Sequence, residues 1–244
     1  MVFTGIRGIQ RLGDDIVNVY LVEDSGFVTI VDAGVPGYFG LIPAALAEMG
    51  RSMEDVKAIL LTHGHSDHIG FAERARREKS WPVHVHELDA ALARGEVPNP
   101  AKGSGTPNRP GPLLGFLWWG MRHGALRQLH LGEVATFGDG ATLDVPGSPR
   151  VIHVPGHTPG SAALHISDRG TLMVGDALAT YAVTSGLKGP QIAPFSADRQ
   201  QALTSLARLD GVDAQHVLPG HGPIWNDGID AAVAQVRQVE QASP

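Results

Sequence analysis

Residues 16–23 (IVNVYLVE) and 26–31 (GFVTIV) are dense in β-branched and aliphatic side chains. Asp24-Ser25-Gly26 between them supplies turn chemistry, so the pair predicts a β-hairpin. Over 38–49 the apolar residues take helical spacing (Leu41, Ala44, Ala45, Met49), and Gly50 provides a stop. A short apolar run over 58–61 reads as a buried strand that passes directly into Thr62-His63-Gly64-His65-Ser66-Asp67-His68. Beyond it, 69–79 predicts a helix with Arg and Glu on its wet face, and 81–85 the next strand. Strand, polar loop and helix in that order put the loop side chains at the carboxyl end of a sheet strand.

The middle of the chain is patterned differently. Residues 94–112 carry five prolines and four glycines, which predicts an irregular excursion with no stable element. Residues 113–121 (LLGFLWWGM) are too few to span a bilayer and too apolar for an ordinary surface. They predict a helix packed on the body of the fold or on a second subunit in a homodimer, or a lid or pocket wall over a site. The whole chain, 1–244, is expected to be one domain with an irregular insertion or lid around 87–131. The second half resumes with strands over 134–137, 141–145, 151–154, 161–166 and 171–174, then a helix over 198–209, a strand over 215–218 and a closing helix over 229–242. Each half runs strands first and helix last, which suits two sheets packed face to face with helices outside.

Composition narrows the chemistry. With no cysteine among 244 residues, disulfides, thiolate-held metals and thiol nucleophiles are excluded, so a metal would need imidazole, carboxylate and water ligands. Twelve histidines make imidazole the group to follow. A formal charge of −6, with basic residues scattered, argues against a nucleic-acid groove and for a small-molecule substrate. No apolar run is long enough for a membrane span, and residues 1–7 lack a signal-like pattern, so a cytoplasmic protein without membrane contact is expected.

The central signal is His63-Gly64-His65-Ser66-Asp67-His68, four candidate ligands within six residues. Side chains alternate along extended backbone, so His63 and His65 can point one way. Asp67 and His68, turning into the next helix, can serve a second point, and the set can feed two ions. The bland reading is a polar loop with Asp67 as a helix cap. Three further ligands stand among glycines and prolines just past predicted strands: His157 in Pro155-Gly156-His157-Thr158-Pro159-Gly160, Asp176 after Gly175, and His221 in Pro219-Gly220-His221-Gly222-Pro223. Each alone is an ordinary turn; together with the first motif they form a pattern.

The pattern resembles the metallo-β-lactamase superfamily, whose His-x-His-x-Asp-His motif is matched by residues 63–68 without a gap, and whose later ligand motifs are matched in order. The resemblance implies an α/β fold, the αββα four-layer sandwich of two mixed β-sheets flanked by helices, with a metal cleft at one edge. It implies His63, His65 and His157 on one metal, Asp67, His68 and His221 on a second, and Asp176 bridging them with a hydroxide. Two divalent metal ions are expected, zinc first, with iron or manganese also suited to such donors. Asp67 and Asp176 are thus implicated in catalysis as well as in metal binding. Asp32 matches the family's acidic residue in its turn, and either orients a ligand imidazole or caps the turn.

Aspartate at 176, where lactamases with a cysteine ligand carry that cysteine, points to the hydrolases of thioesters, lactones and other esters, similar to glyoxalase II and the lactonases. With only about 20 residues after Gly222, strict glyoxalase II, whose C-terminal extension binds glutathione, is not the expected member. The alternative is a mononuclear iron enzyme similar to persulfide dioxygenases, using His63, His157 and Asp176. A class B β-lactamase without a cysteine ligand ranks below both. Tyr181 either donates to a developing oxyanion or is a core or rim tyrosine, and Phe116, Trp118 and Trp119 could wall an acyl chain. The remaining seven histidines, at 84, 86, 123, 130, 153, 165 and 216, match no ligand motif and read as structural.

Overall fold

The computed structural model describes residues 2–103, 107–125 and 129–242. In chain order its strands are β1 (Val2–Phe3), β2 (Ile9–Gly13), β3 (Asn18–Asp24), β4 (Phe27–Val31), β5 (Val56–Leu60), β6 (Val83–His86) and β7 (Ala135–Phe137). They continue with β8 (Arg150–His153), β9 (Ala162–Ile166), β10 (Thr171–Gly175), β11 (Ala179–Tyr181), β12 (Lys188–Gln191) and β13 (His216–Pro219). The helices are α1 (Ile42–Glu48), α2 (Ala72–Lys79), α3 (Ala90–Ala93), α4 (Pro110–His123), α5 (Arg199–Ser205) and α6 (Ile229–Ala242).

Strands β1 to β7 form one sheet in sequential order, antiparallel from β1 to β4 and parallel from β4 to β7. A second sheet has the order β13-β10-β9-β8, with β10 and β13 parallel and the other pairs antiparallel. Strands β11 and β12 make a separate antiparallel pair.

Because side chains alternate across a strand, each sheet feeds two cores. Tyr20, Val22, Val31 and Leu60 of the first sheet meet Leu164, Ile166, Met173 and Leu218 of the second in a buried layer between them. The opposite faces turn outward. Val19, Leu21, Ile30 and Ile59 pack under α1, α2 and the buried edge of α4, whereas Ala163, Leu172, Val174 and Val217 pack under α5 and α6. Helix, sheet, sheet and helix therefore stack as the expected αββα sandwich of mixed sheets. No helix among the described residues is long and apolar enough to cross a membrane.

Several boundaries differ from the sequence expectation. The expected strand at 141–145 forms only an isolated bridge between Thr142 and Arg150. Its apolar residues Ala141, Leu143 and Val145 do rest against the inter-sheet core, but Pro146 and Gly147 (φ 87°) turn the chain before a ladder can extend. The expected helix at 38–49 is 3-10 from Pro36 to Leu41 and α-helical only from Ile42, and α2 begins at Ala72 rather than residue 69. The excursion at 94–112 has no regular element among its described residues until Pro110, which opens α4 at a position where its missing N–H costs nothing. Strands β1, β2, β11 and β12 have no counterpart in the sequence expectation.

Candidate metal centre

All seven expected ligands stand at one edge of the sandwich. His63, His65, Asp67 and His68 follow the carboxyl end of β5, Asp176 follows β10, His221 follows β13, and His157 sits in the turn joining β8 to β9. Parallel pairing of β10 with β13 brings Asp176 and His221 to the same end. The donation from the Ala162 N–H to the Thr62 carbonyl sews the second sheet to the first beside the His63 loop. From β3, Asn18 Nδ2 and the Tyr20 hydroxyl donate to the Pro219 carbonyl at 2.9 and 2.8 Å, fastening the His221 loop from the other side.

The side chains converge in three overlapping groups: His63, His65 and His157; His63, His68 and Asp176; Asp67, His68 and His221, with the ligating atoms of each group within 4.8 Å of one another. Asp176 lies between them. Its Oδ2 is 3.3 Å from His157 Nε2 and 3.1 Å from His221 Nε2, and its Oδ1 is 3.6 Å from His68 Nε2. His65 Nδ1 faces His157 Nε2 at 2.8 Å. Asp67 Oδ2 is 3.5 Å from His221 Nε2.

Local hydrogen bonds fix which ring nitrogen faces inward. The Thr62 hydroxyl donates to Asp32 at 2.9 Å and so accepts from His63 Nδ1 at 3.1 Å. His68 Nδ1 donates to Asp32 Oδ2 at 2.9 Å. Ser196 Oγ, which donates to the Ala193 carbonyl, accepts from His157 Nδ1 at 3.2 Å. His221 Nδ1 donates to the Ile16 carbonyl. In all four histidines the outer nitrogen is engaged as a donor, and Nε2 is turned into the cluster.

His63 Nε2, His68 Nε2 and Asp176 Oδ1 are buried with no hydrogen-bond partner. Buried polar atoms are rarely left so, and these face one another, which is the arrangement a cation completes. The donor set fits a divalent ion.

Charge is balanced within the cluster. Burial, reinforced by His68 and His157, pushes the His63 imidazole well below its ordinary pKa, and burial takes His157 down to about 3. For His68 burial acts downward too, but Asp32, Asp176 and Asp67 outweigh it and raise the group to about 10. His221 follows the same logic: burial is overcome chiefly by Asp176, and the group rises to about 8. Asp176 is held well below the usual carboxylate range by His221, His68 and His157, against the opposing effect of burial.

Glycine at 220 is a packing requirement. A Cβ there would stand 2.3 Å from Asp176 Oδ1 and 2.6 Å from His68 Cε1, inside contact distance of two ligands.

A residue absent from the sequence reading ties the ligand loops together. Asp89, fully buried after β6, accepts from the Gly64 N–H at 2.8 Å, the Thr158 hydroxyl at 2.7 Å and the Gly160 N–H at 2.7 Å. It thereby joins the loop of His63 and His65 to the loop of His157. Neither Asp89 nor Ser196 sits in a recognisable motif; the available hint was that Gly64 and Gly160 expose N–H groups needing an acceptor.

The ligands open onto a cavity of about 220 Å³, walled on its apolar side by Phe116, Trp119, Val183, Pro194 and Phe195. Phe116 and Trp119 thus take the expected wall position. Trp118 does not: it is exposed on the outer side of α4 with Leu114 and Met121, under the Arg122 guanidinium at 4.8 Å. Tyr181 is not brought to this cavity either; it lines a separate cleft with Asp14, Ile16 and Lys188. None of the seven other histidines enters a ligand group among the described residues. His86 stacks on His153 at 4.3 Å, and His165 and His216 bond to the Asp213 carbonyl and to Asn226.

Comparison with known proteins places this geometry. The sequence model of the family described as the metallo-beta-lactamase superfamily matches residues 12–221. The chain is 31% identical over 237 residues to the probable metallo-hydrolase YflN of Bacillus subtilis, covering 90% of this chain and 86% of that one. Among solved structures it resembles the metallo-beta-lactamase family protein TTHA1429 of Thermus thermophilus, with a TM-score of 0.69 and 28% identity over 98% of this chain and 81% of that one. It also resembles TTHA1623, solved in a di-iron-bound form, with a TM-score of 0.60 and 27% identity over 94% of this chain and 97% of that one.

Proposed function

The chain belongs to the metallo-β-lactamase superfamily, and from that premise we propose that it is a dinuclear metal-dependent hydrolase of thioesters, lactones or other esters. The observation that carries the reading is the position of Asp176, whose two carboxylate oxygens reach histidines of both ligand groups from a single side chain. His63, His65 and His157 would hold one ion, and Asp67, His68 and His221 the other. Zinc is the proposed resident ion, and the same nitrogen and oxygen donors suit iron or manganese. Two divalent cations supply hydroxide at neutral pH and draw charge from a carbonyl oxygen.

The chain's own residues do the rest. Asp32, Thr62, Ser196 and the Ile16 carbonyl hold the imidazoles with Nε2 inward, so little reorganisation is needed at turnover. Asp67 is the most exposed of the seven proposed ligands, with 27% of its side chain accessible, and it lines the cavity where a substrate would approach. The apolar wall excludes bulk water from the acyl side of the substrate.

Elemental analysis of protein purified without added metal, followed by assays on a thioester, a homoserine lactone and a β-lactam, tests the reading. Two ions per chain and ester-type hydrolysis are expected. Asp176→Ala should lower bound metal below two ions and cut turnover by orders of magnitude, roughly a hundredfold or more. One iron per chain with oxygen uptake on glutathione persulfide would overturn it.

A further inference from the structure

Trp119 stands in the cavity wall with its indole N–H donated at 2.6 Å to Asp14 Oδ2, and its ring is only 5% exposed. Asp14 belongs to the loop between β2 and β3, where its Oδ1 also accepts from the Ile16 N–H at 3.3 Å. The same oxygen accepts from the Tyr38 hydroxyl at 3.2 Å, and Tyr38 packs edge-on against Trp119 at 6.3 Å. Phe116 stacks beside Trp119 at 6.4 Å, and His123 closes the other side at 4.7 Å. The ring is therefore held at its edge by a charge-assisted bond and on both flanks by aromatic contacts, while part of its surface meets the cavity.

Phe195 supplies a second, independent sign. It also lines the cavity, and its backbone is left-handed at φ 63°, a region bulky side chains rarely occupy. The conformation is maintained next to Ser196, which is anchored to Ala193 and His157. Strain kept at a site is a sign of use there. The described wall of Phe116, Trp119, Val183, Pro194 and Phe195 is apolar, and seating a charged group against it costs desolvation.

We propose that the cavity selects substrates with an uncharged, apolar acyl portion seated against Trp119 and Phe195, and that Asp14 is the positioning residue that holds Trp119 in the wall. The substrate class rests on the hydrolase reading above; the apolar subsite does not, because binding can be measured without turnover. Each methylene buried there should strengthen binding by about three- to fourfold.

The test uses the metal-loaded protein and two readouts. Calorimetric binding of acetamide, hexanamide, octanamide and the monoamide of octanedioic acid reads the subsite; kcat and KM on p-nitrophenyl esters of matching chain length read its use. The expected result is affinity rising at least tenfold from acetamide to octanamide, with the carboxylate-tipped amide at least tenfold weaker than octanamide. Asp14→Ala and Trp119→Phe should each flatten the chain-length trend through KM rather than kcat, with metal content unchanged. Combined, they should do less than the sum of the two, since both remove the bond between indole and carboxylate. Asp14→Asn, which keeps an acceptor oxygen, should restore the trend. Equal affinity for all amides, or additive effects of the two substitutions, overturns the proposal. Chain-length-dependent binding without hydrolysis of any ester upholds the subsite and removes the hydrolase reading instead.

Discussion

Asp32 Oδ2 lies 2.9 Å from His68 Nδ1, with both side chains buried, and the same carboxylate accepts from the Thr62 backbone N–H and hydroxyl. One acidic group thus aligns His68 directly and His63 through Thr62. Its backbone is left-handed, φ 61°, which asparagine also tolerates. Asp32→Asn should therefore keep the turn while weakening the acceptor, and lower metal affinity about 10–100-fold in chelator competition. Unchanged affinity would show that His68 is oriented without it.

Metal uptake should release protons, and fewer of them at higher pH. His68, raised to about 10, and His221, raised to about 8, both carry a proton near neutrality in the metal-free protein. An incoming cation must displace both. As pH rises past about 8, His221 gives up its proton unaided, so apparent affinity should climb and the released count should fall. Calorimetric titration with zinc in buffers of different ionisation enthalpy gives the count directly; a value that does not change between roughly pH 7 and 9 would contradict the assignment.

Asp89→Ala leaves the Gly64 N–H, the Thr158 hydroxyl and the Gly160 N–H without their acceptor in a buried place. The expected cost is about 3 kcal/mol or more, read from urea unfolding of the metal-free protein. Because the same carboxylate joins the loop of His63 and His65 to that of His157, metal binding by those three should weaken with it. A loss of stability with zinc affinity intact would reduce Asp89 to a packing role.

Gly220→Ala should fold yet bind metal poorly. The added methyl meets Asp176 Oδ1 at 2.3 Å and His68 Cε1 at 2.6 Å, so the ligands rather than the core must give way. Near-native circular dichroism with less than half the wild-type metal content is the expected pair of results.

The convergence of seven histidine and aspartate side chains was legible because most of them stand beside glycines or prolines directly past an apolar strand, a juxtaposition with few other purposes. The four layers were legible for a related reason: each half runs strands first and helix last, and near-continuous apolar strands such as 16–23 have two faces to bury. Strands β2 and β12 were not, since Gln10 and Arg11 in the first and Gly189 and Pro190 in the second break any apolar pattern; pairing with β3 and β11 holds them instead. Residues 141–145 carry an alternation but meet β8 only at the bridge between Thr142 and Arg150, so periodicity alone overstated them. Position relative to the cavity was equally hidden. Trp118 and Trp119 are neighbours in sequence, yet about 100° of helical rotation separates an exposed ring from a cavity wall. Asp14 and Asp89 act across the fold, and nothing beside them in the chain announces their partners.

Four of the ligands descend from the seven-stranded sheet and three from the four-stranded one. Metal held among these seven would be a rivet through the rim of the sandwich, its binding free energy part of what keeps the two halves shut. Removing it leaves Asp67 and Asp176 facing histidines alone across that rim, so the edge carrying the site is the one expected to part first. Cation supply in the cell would then govern how long the chain survives proteolysis as directly as it governs whether the site can work.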